Sequence, residues 1–359
     1  MILFWLPINI WAAPNHELAW QAAGTLCVGI TLCVALYSWS PEWLSPTHLP
    51  QVLSAGISGF GTLLALVSLP FINWKPEYRL FYAPIYQYLD AIARGGESIH
   101  ANVLAGGLAI SIPLLTAIFV SPRLLLPTQA VSSGLLRRLR IIYGLALAIQ
   151  SVILILLQSR GADLAVATGL LVVISLRWRR LFMPLIFLCL GLTLIALFFR
   201  GNQLLEAMSN DGALGGWSGR LRVWQGGLSA LHDFPFTGIG IGNYTVIMPL
   251  LYPTGVNVEG YPHAHNHLLQ IGLDLGIPGF TAYLAILILI MALTVGIIRN
   301  QKVVPLSTKS LAIGALGSMV AFLTHGIFDA TLWGTRLAPL PWVLFALVVT
   351  LAKLETADA

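Results

Sequence analysis

The chain has 359 residues, 57% of them hydrophobic and 9% charged, with a mean hydropathy of +0.83 and a net charge of +5. A soluble domain carries about 25% charged residues, so this composition excludes an ordinary water-facing surface and suits a lipid-facing one. The basic residues sit in short clusters between apolar runs, with few aromatics interleaved, which speaks against nucleic acid as a partner and for membrane lipids.

Met1–Ala13 lacks a basic n-region and a clear small-residue cleavage site, so it reads as an interfacial or re-entrant segment, or the remnant of a longer first span, rather than a signal peptide. A spanning helix needs about 20 apolar residues. In chain order the strong candidates are Ala19–Tyr37, Val52–Ile72, Asn102–Val120, Ile141–Leu157, Leu181–Phe199, Ile277–Ile298 and Leu311–Phe328; Ala162–Leu176 and Leu337–Leu351 are shorter. The expected fold class is therefore all-α, a polytopic transmembrane bundle of about nine spans, because only helices or closed barrels satisfy their backbone in lipid. Cys27, Cys33 and Cys189 lie inside apolar runs and read as buried thiols.

Three basic clusters set the orientation. Arg123, Arg137, Arg138 and Arg140 form one, Arg177, Arg179 and Arg180 the second, and Arg299, Lys302 and Lys309 the third. With one span between side-switches all three fall on the same face, which the positive-inside rule makes cytoplasmic. Lys75, Arg79 and Arg94 fall on the other face and run against the rule. Two external segments are long, Asn73–Ile99 and the glycine-, proline- and aromatic-rich Arg200–Pro262. The second is expected to be a folded external loop (200–262) on a single membrane domain (1–359).

Polar groups gather at the external face: Arg160 and Asp163 in one turn, Arg220 and Arg222 in the long loop, His263, His265 and His267 after it, and His325 and Asp329 near the end of a later span. Ionisable groups at membrane boundaries are costly and usually functional. A transporter concentrates its polar sites near mid-bilayer. Gathering at one face favours an enzyme, with an ion or solute transporter as the alternative.

The most informative stretch is HAHNHLLQIGLDLGIPG, from His263 to Gly279. On a continuous helix His265, Leu269, Gly272 and Gly276 would share one face. Three readings of its histidines stay open. His263 and His267 have a zinc-binding spacing but lack a third ligand and the glutamate of a metalloprotease motif. Each histidine could also be a structural hydrogen-bond donor. The third reading is general-base catalysis on a hydroxyl. In GRLRVWQGGL (219–228) and DFPFTGIGIGNY (233–244), the arginines suit a phosphate clamp, and the glycines suit either a phosphate loop or tight turns. In SRGADLA (159–165), Arg160 reads either as a ligand or as a snorkelling side chain. In THGIFDATLW (324–333), four-residue spacing lets Asp329 orient the His325 imidazole.

Together with HANVLAGGL (100–108), these ordered motifs resemble the O-antigen ligase and polymerase superfamily over about Asn102 to Trp333 (102–333). The most specific mark is His265-Asn266 followed, after nine residues, by Gly276. The resemblance implies a GT-C-like fold in the cytoplasmic (inner) membrane, with the active site on its periplasmic or external face. It also implies transfer of glycan from an undecaprenyl-diphosphate-linked donor to a lipid- or saccharide-linked acceptor, with inversion, no metal and no cofactor. Carried over by residue, His265 matches the base, and Arg160 and Arg220 the diphosphate-binding arginines. Arg222, Asn266, His325 and Asp329 are the further expected substrate-side residues.

Overall fold

In a computed structural model the structure describes residues 1–39, 48–72, 74, 83–92, 99–125, 132–181, 183–184, 216–253, 262–300 and 306–357. The described chain is helical, with one isolated bridge between Ile72 and Ile99. Its helices are α1 (Ile2–Ala12), α2 (His16–Ser38), α3 (Leu49–Val67), α4 (Ala83–Ile92), α5 (Ala101–Val120), α6 (Ser133–Leu157), α7 (Arg160–Arg177), α8 (Gly216–Asp233), α9 (Tyr244–Leu251), α10 (His267–Arg299), α11 (Leu306–Phe328) and α12 (Leu340–Ala357).

Six of these, α2, α3, α5, α6, α10 and α11, are long and apolar enough to cross a membrane. The protein is thus a multi-pass helical membrane protein. The shorter apolar runs become α7 and α12, and the expected span Leu181–Phe199 lies almost wholly outside the described residues. The segment expected as a long loop carries helices α8 and α9, while 200–215 and 254–261 within it are outside the described residues. Most of the expected loop Asn73–Ile99 is likewise outside them, with α4 inside.

Packing divides the chain into two compact units. One comprises Met1–Val28, Ile174–Ile288 and Gly326–Ala338, the other Gly29–Val173, Leu289–His325 and Pro339–Ala359. The second is built on α3, α5 and α6. Helix α5 is apolar all round and buried along almost its whole length, from Leu104 to Ile118, as a central helix should be. Its start is capped by His100, whose Nδ1 accepts the Asn102 N–H at 3.2 Å. Helix α6, capped by Ser132, instead leaves Ile141, Ile142, Leu145, Val152 and Ile155 exposed, a lipid-facing stripe. Small and polar side chains join these helices: Gln150 Nε2 donates to Ser58 O (3.1 Å) and to Thr62 Oγ1 (2.9 Å). Cys27 and Cys33 are free, half-buried thiols on α2; Cys189 lies outside the described residues.

The first unit centres on a buried cluster that includes Val223 and Ala230 of α8, Tyr244 and Met248 of α9, Ala264, and Leu273 of α10. Helix α1, 11 residues long, is too short to span. Its Phe4 and Trp11 face outward, and its polar side fastens inward. Asn9 Nδ2 donates to the carbonyls of Thr237 and Asp274, each at 2.6 Å, and Asn9 Oδ1 accepts the Ile241 N–H at 2.9 Å. Trp5 Nε1 donates to Leu275 O at 2.9 Å. The N-terminal segment therefore braces the backbone around α10.

Candidate active site

Helix α10 begins at His267, not at His265. Asn266 is its cap: Oδ1 accepts the Leu269 N–H at 2.9 Å, and the Asn266 carbonyl accepts the Gln270 N–H at 2.9 Å. Its Nδ2 donates to Ile327 O at 3.2 Å, at the end of α11. His265 thus does not share a helical face with Leu269, Gly272 and Gly276. It sits in a turn just before the helix, with φ +48°. A non-glycine residue in the left-handed region is uncommon and marks a local constraint.

The turn folds His263 and His265 against Asp329, which follows the last turn of α11. His263 Nε2 and His265 Nδ1 each lie 3.4 Å from Asp329 Oδ1. The two imidazole centroids are 4.5 Å apart. His263 Nδ1 accepts the His265 N–H at 3.2 Å, so in its neutral form its proton is on Nε2, toward the carboxylate. Asp329 Oδ1, 3.4 Å from His265 Nδ1, favours a proton on that nitrogen and the lone pair on Nε2. Asp329 Oδ1 also accepts the Ala330 N–H at 2.8 Å, which fixes its rotamer. Asp329 is buried and His265 is only 9% exposed, so water screens these contacts weakly.

The ligand-type atoms of His263, His265 and Asp329 lie within 4.8 Å of one another, which gives them the donor set of a metal site. This is not the His263/His267 pair that spacing suggests for zinc: His267 Nε2 meets the Tyr283 hydroxyl at 3.0 Å, and its ring is edge-on to Trp333. His325 is buried on the last turns of α11. Because that helix stops at Phe328, Asp329 lies past its end and turns toward the histidine turn.

Hydrogen bonds from α8 and α10 hold the turn. The Ala264 N–H donates to Gln270 Oε1 at 2.8 Å, and the Ala264 carbonyl accepts from Trp224 Nε1 of α8 at 3.0 Å. Gln270 Nε2 donates to Asp274 Oδ1 at 3.0 Å, and Trp333 Nε1 donates to Asp274 Oδ2 at 2.7 Å. Spacing alone does not reveal Trp224 or Trp333. The trace of Gln270 and Asp274 in the sequence is a glutamine and a lone carboxylate one turn apart inside an apolar run.

Arg220 lies on α8 one turn before Trp224, on the side that meets the histidine turn. It is half-buried, and its Nε is buried with no hydrogen-bond partner among the described residues. Arg222 is exposed on another side of α8, and Arg160 is exposed at the start of α7 in the other unit. At the far end of α8 the Tyr252 hydroxyl donates to Asp233 Oδ2 at 2.6 Å, joining the ends of α8 and α9. That bond, with His232 beside it, holds the exposed Asp233 carboxyl below the usual range.

The glycines of DFPFTGIGIGNY serve backbone packing. Ile239 N–H donates to Leu273 O, and Ile277 N–H to Pro235 O, both at 2.7 Å. These bonds pin the turn after α8 to a break in α10 at Gly276, whose φ of 65° and ψ of −178° are open essentially only to glycine. Gly238, with φ +63°, faces the same break from the other side. Of the two readings of these glycines, the turn geometry is the one visible in the fold.

Residues 145–284 match the family model for O-antigen ligase. The match covers Arg160, Arg220, Arg222, His265, Asn266, Gln270, Asp274 and the Gly276 break. No curated protein matches the chain.

Proposed function

We propose, from the match of residues 145–284 to the O-antigen ligase family model, that this membrane protein is a glycosyltransferase that moves glycan from an undecaprenyl-diphosphate carrier to an acceptor hydroxyl. The observation that carries the reading is His265, held in a strained turn with Nδ1 toward a buried carboxylate. Its Nε2 lone pair takes the proton of the acceptor hydroxyl. The acceptor oxygen bonds to the anomeric carbon as the bond from that carbon to the phosphate oxygen breaks. Undecaprenyl diphosphate leaves, and a single displacement inverts the anomeric centre. Asp329 steadies the imidazolium that forms.

Charge on the leaving diphosphate needs fixed cations. Arg220, with a buried Nε on the side of α8 tied to the histidine turn, suits that role. Arg160 is assigned the same role by its motif alone. Arg222, His325 and Asn266 remain proposed substrate-side residues. The hydrogen bonds of Asn266 account for a capping role as well. The reaction is placed on the periplasmic or external face of the cytoplasmic membrane, opposite the arginine clusters, and it needs no metal. In support of that last point, the arginines can supply the positive charge that a metal would otherwise provide.

The test uses purified protein in proteoliposomes and an undecaprenyl-diphosphate-linked oligosaccharide extracted from the source organism's membranes. His265→Ala should accumulate normally and lose about 10²–10⁴-fold in transfer rate, the usual worth of a general base. Transfer by the wild-type protein should survive EDTA. Near-normal transfer by His265→Ala would overturn the base, and activity lost to EDTA and restored by zinc would turn the same three side chains into a metal centre.

A further inference from the structure

We propose that Gln270 and Asp274 are positioning residues for His265, locking its turn through a hydrogen-bond ladder that ends on Trp333. The inference rests on the reading of His265 as the base and adds to it what holds that base in place.

Gln270 and Asp274 are buried at 4% and 3% exposure on consecutive turns of a largely apolar helix. A carboxylate and an amide at such a position are costly unless their hydrogen bonds are complete. Their bonds run in one order. The Ala264 N–H and the Trp333 indole N–H can only donate, and they form the two ends of the ladder. Asp274 accepts from Trp333 on one oxygen and from Gln270 on the other. Gln270 accepts from Ala264 with its carbonyl and donates to Asp274 with its amide, so it must be a group that does both. Leucine at both positions would fill the helix but leave the Ala264 N–H without this acceptor.

The ladder acts where the backbone is least relaxed. Ala264 stands between His263 and His265, and is itself fully buried. Gln270 fixes the peptide on its N-terminal side, and Trp224 fixes the one on its C-terminal side. Asn266 caps the helix immediately beyond. His265, at φ +48°, is thereby held between two anchored neighbours. Neither Gln270 nor Asp274 is open to substrate, so their effect falls on turnover rather than on donor binding.

The polarity of the ladder supplies its own test. Gln270→Glu keeps an acceptor for Ala264 but removes the amide that donates to Asp274, so the middle bond can form only if the buried pair binds a proton. Adding Asp274→Asn restores the three bonds of the ladder with the middle one reversed: the asparagine amide donates to the glutamate, and its carbonyl accepts from Trp333. In the proteoliposome assay, Gln270→Glu should lower kcat about 10-fold, the order expected for one buried hydrogen bond unmade, with an unchanged KM for the donor. The double variant should recover most of that loss. Trp333→Phe, which keeps the ring against His267 and Tyr283, should also lower kcat at constant KM, and gives a second readout should Gln270→Glu not accumulate. A double variant as slow as Gln270→Glu, or a Trp333→Phe protein with wild-type kcat, would overturn the positioning role. His265→Ala is run alongside. If it is inactive while the ladder variants are silent, only this inference fails; if it retains transfer, the base assignment fails first.

Discussion

At the scale of single residues, the site is a set of directed donors and acceptors. His265 occupies a left-handed conformation that costs a non-glycine residue about 1–2 kcal/mol, and the bonds to Ala264, Asn266 and Asp329 around it offset that cost. Asp329 faces two imidazoles and one backbone N–H through a single oxygen. Arg220 differs in kind, with a guanidinium whose Nε is buried and lacks a partner among the described residues. A lysine there would keep the charge but not the planar fork that grips a diphosphate through paired bonds. Arg220→Lys should therefore raise the KM for the lipid-linked donor about 10-fold, the size of one charged hydrogen bond, while leaving membrane accumulation unchanged. Titrating the donor in proteoliposomes checks this; an unchanged KM would remove Arg220 from the diphosphate site.

At the scale of elements, the decisive feature is the break in α10. The helix runs from His267 to Arg299 but is not continuous, because Gly276 leaves helical geometry. The break lets the turn after α8 bond to Leu273 O and lets Pro235 O receive the Ile277 N–H. An added Cβ at Gly276 would run into the Phe236 carbonyl and lie 2.8 Å from the Gly238 nitrogen. The backbone conformation itself costs any other residue about 1–3 kcal/mol. Gly276→Ala should thus lower the thermal unfolding midpoint of the detergent-solubilised protein and reduce its accumulation. Gly296→Ala, on the same helix with open space around its Cβ, should be neutral or slightly stabilising, since alanine is the better helix former. Equal behaviour of the two variants would contradict the packing described for the break.

At the scale of the whole molecule, the proposed orientation in the membrane rests on charge. The Arg177–Arg180 cluster ends α7, and α8 follows in the segment assigned to the opposite face. In a background lacking Cys27, Cys33 and Cys189, Trp178→Cys and His232→Cys place thiols at two exposed positions. An impermeant maleimide should label His232→Cys in intact spheroplasts and Trp178→Cys only after permeabilisation. Labelling of Trp178→Cys from outside would reverse the orientation and move the proposed chemistry to the cytoplasmic face.

The sequence by itself determined the class of molecule. Apolar run length and the scarcity of charge settle membrane insertion segment by segment, because each span's transfer into lipid depends mostly on its own residues. The ordered motifs with His265-Asn266 and Gly276 also sufficed to point to the family whose model matches residues 145–284. Spacing did not reach the internal geometry of the site. Helical periodicity carried back to His265 assumed a helix that the Asn266 cap stops one residue later. Only the tertiary structure decided that Asp329 meets His263 and His265, that Trp224 and Gln270 grip the peptides around Ala264, and that the glycines of 238–242 serve close backbone approach. The physical reason is range. A cap or a span is written in neighbouring residues, but His263 and Asp329 are brought together by dihedral angles in turns and by packing around α8 and the start of α10, which no local pattern records.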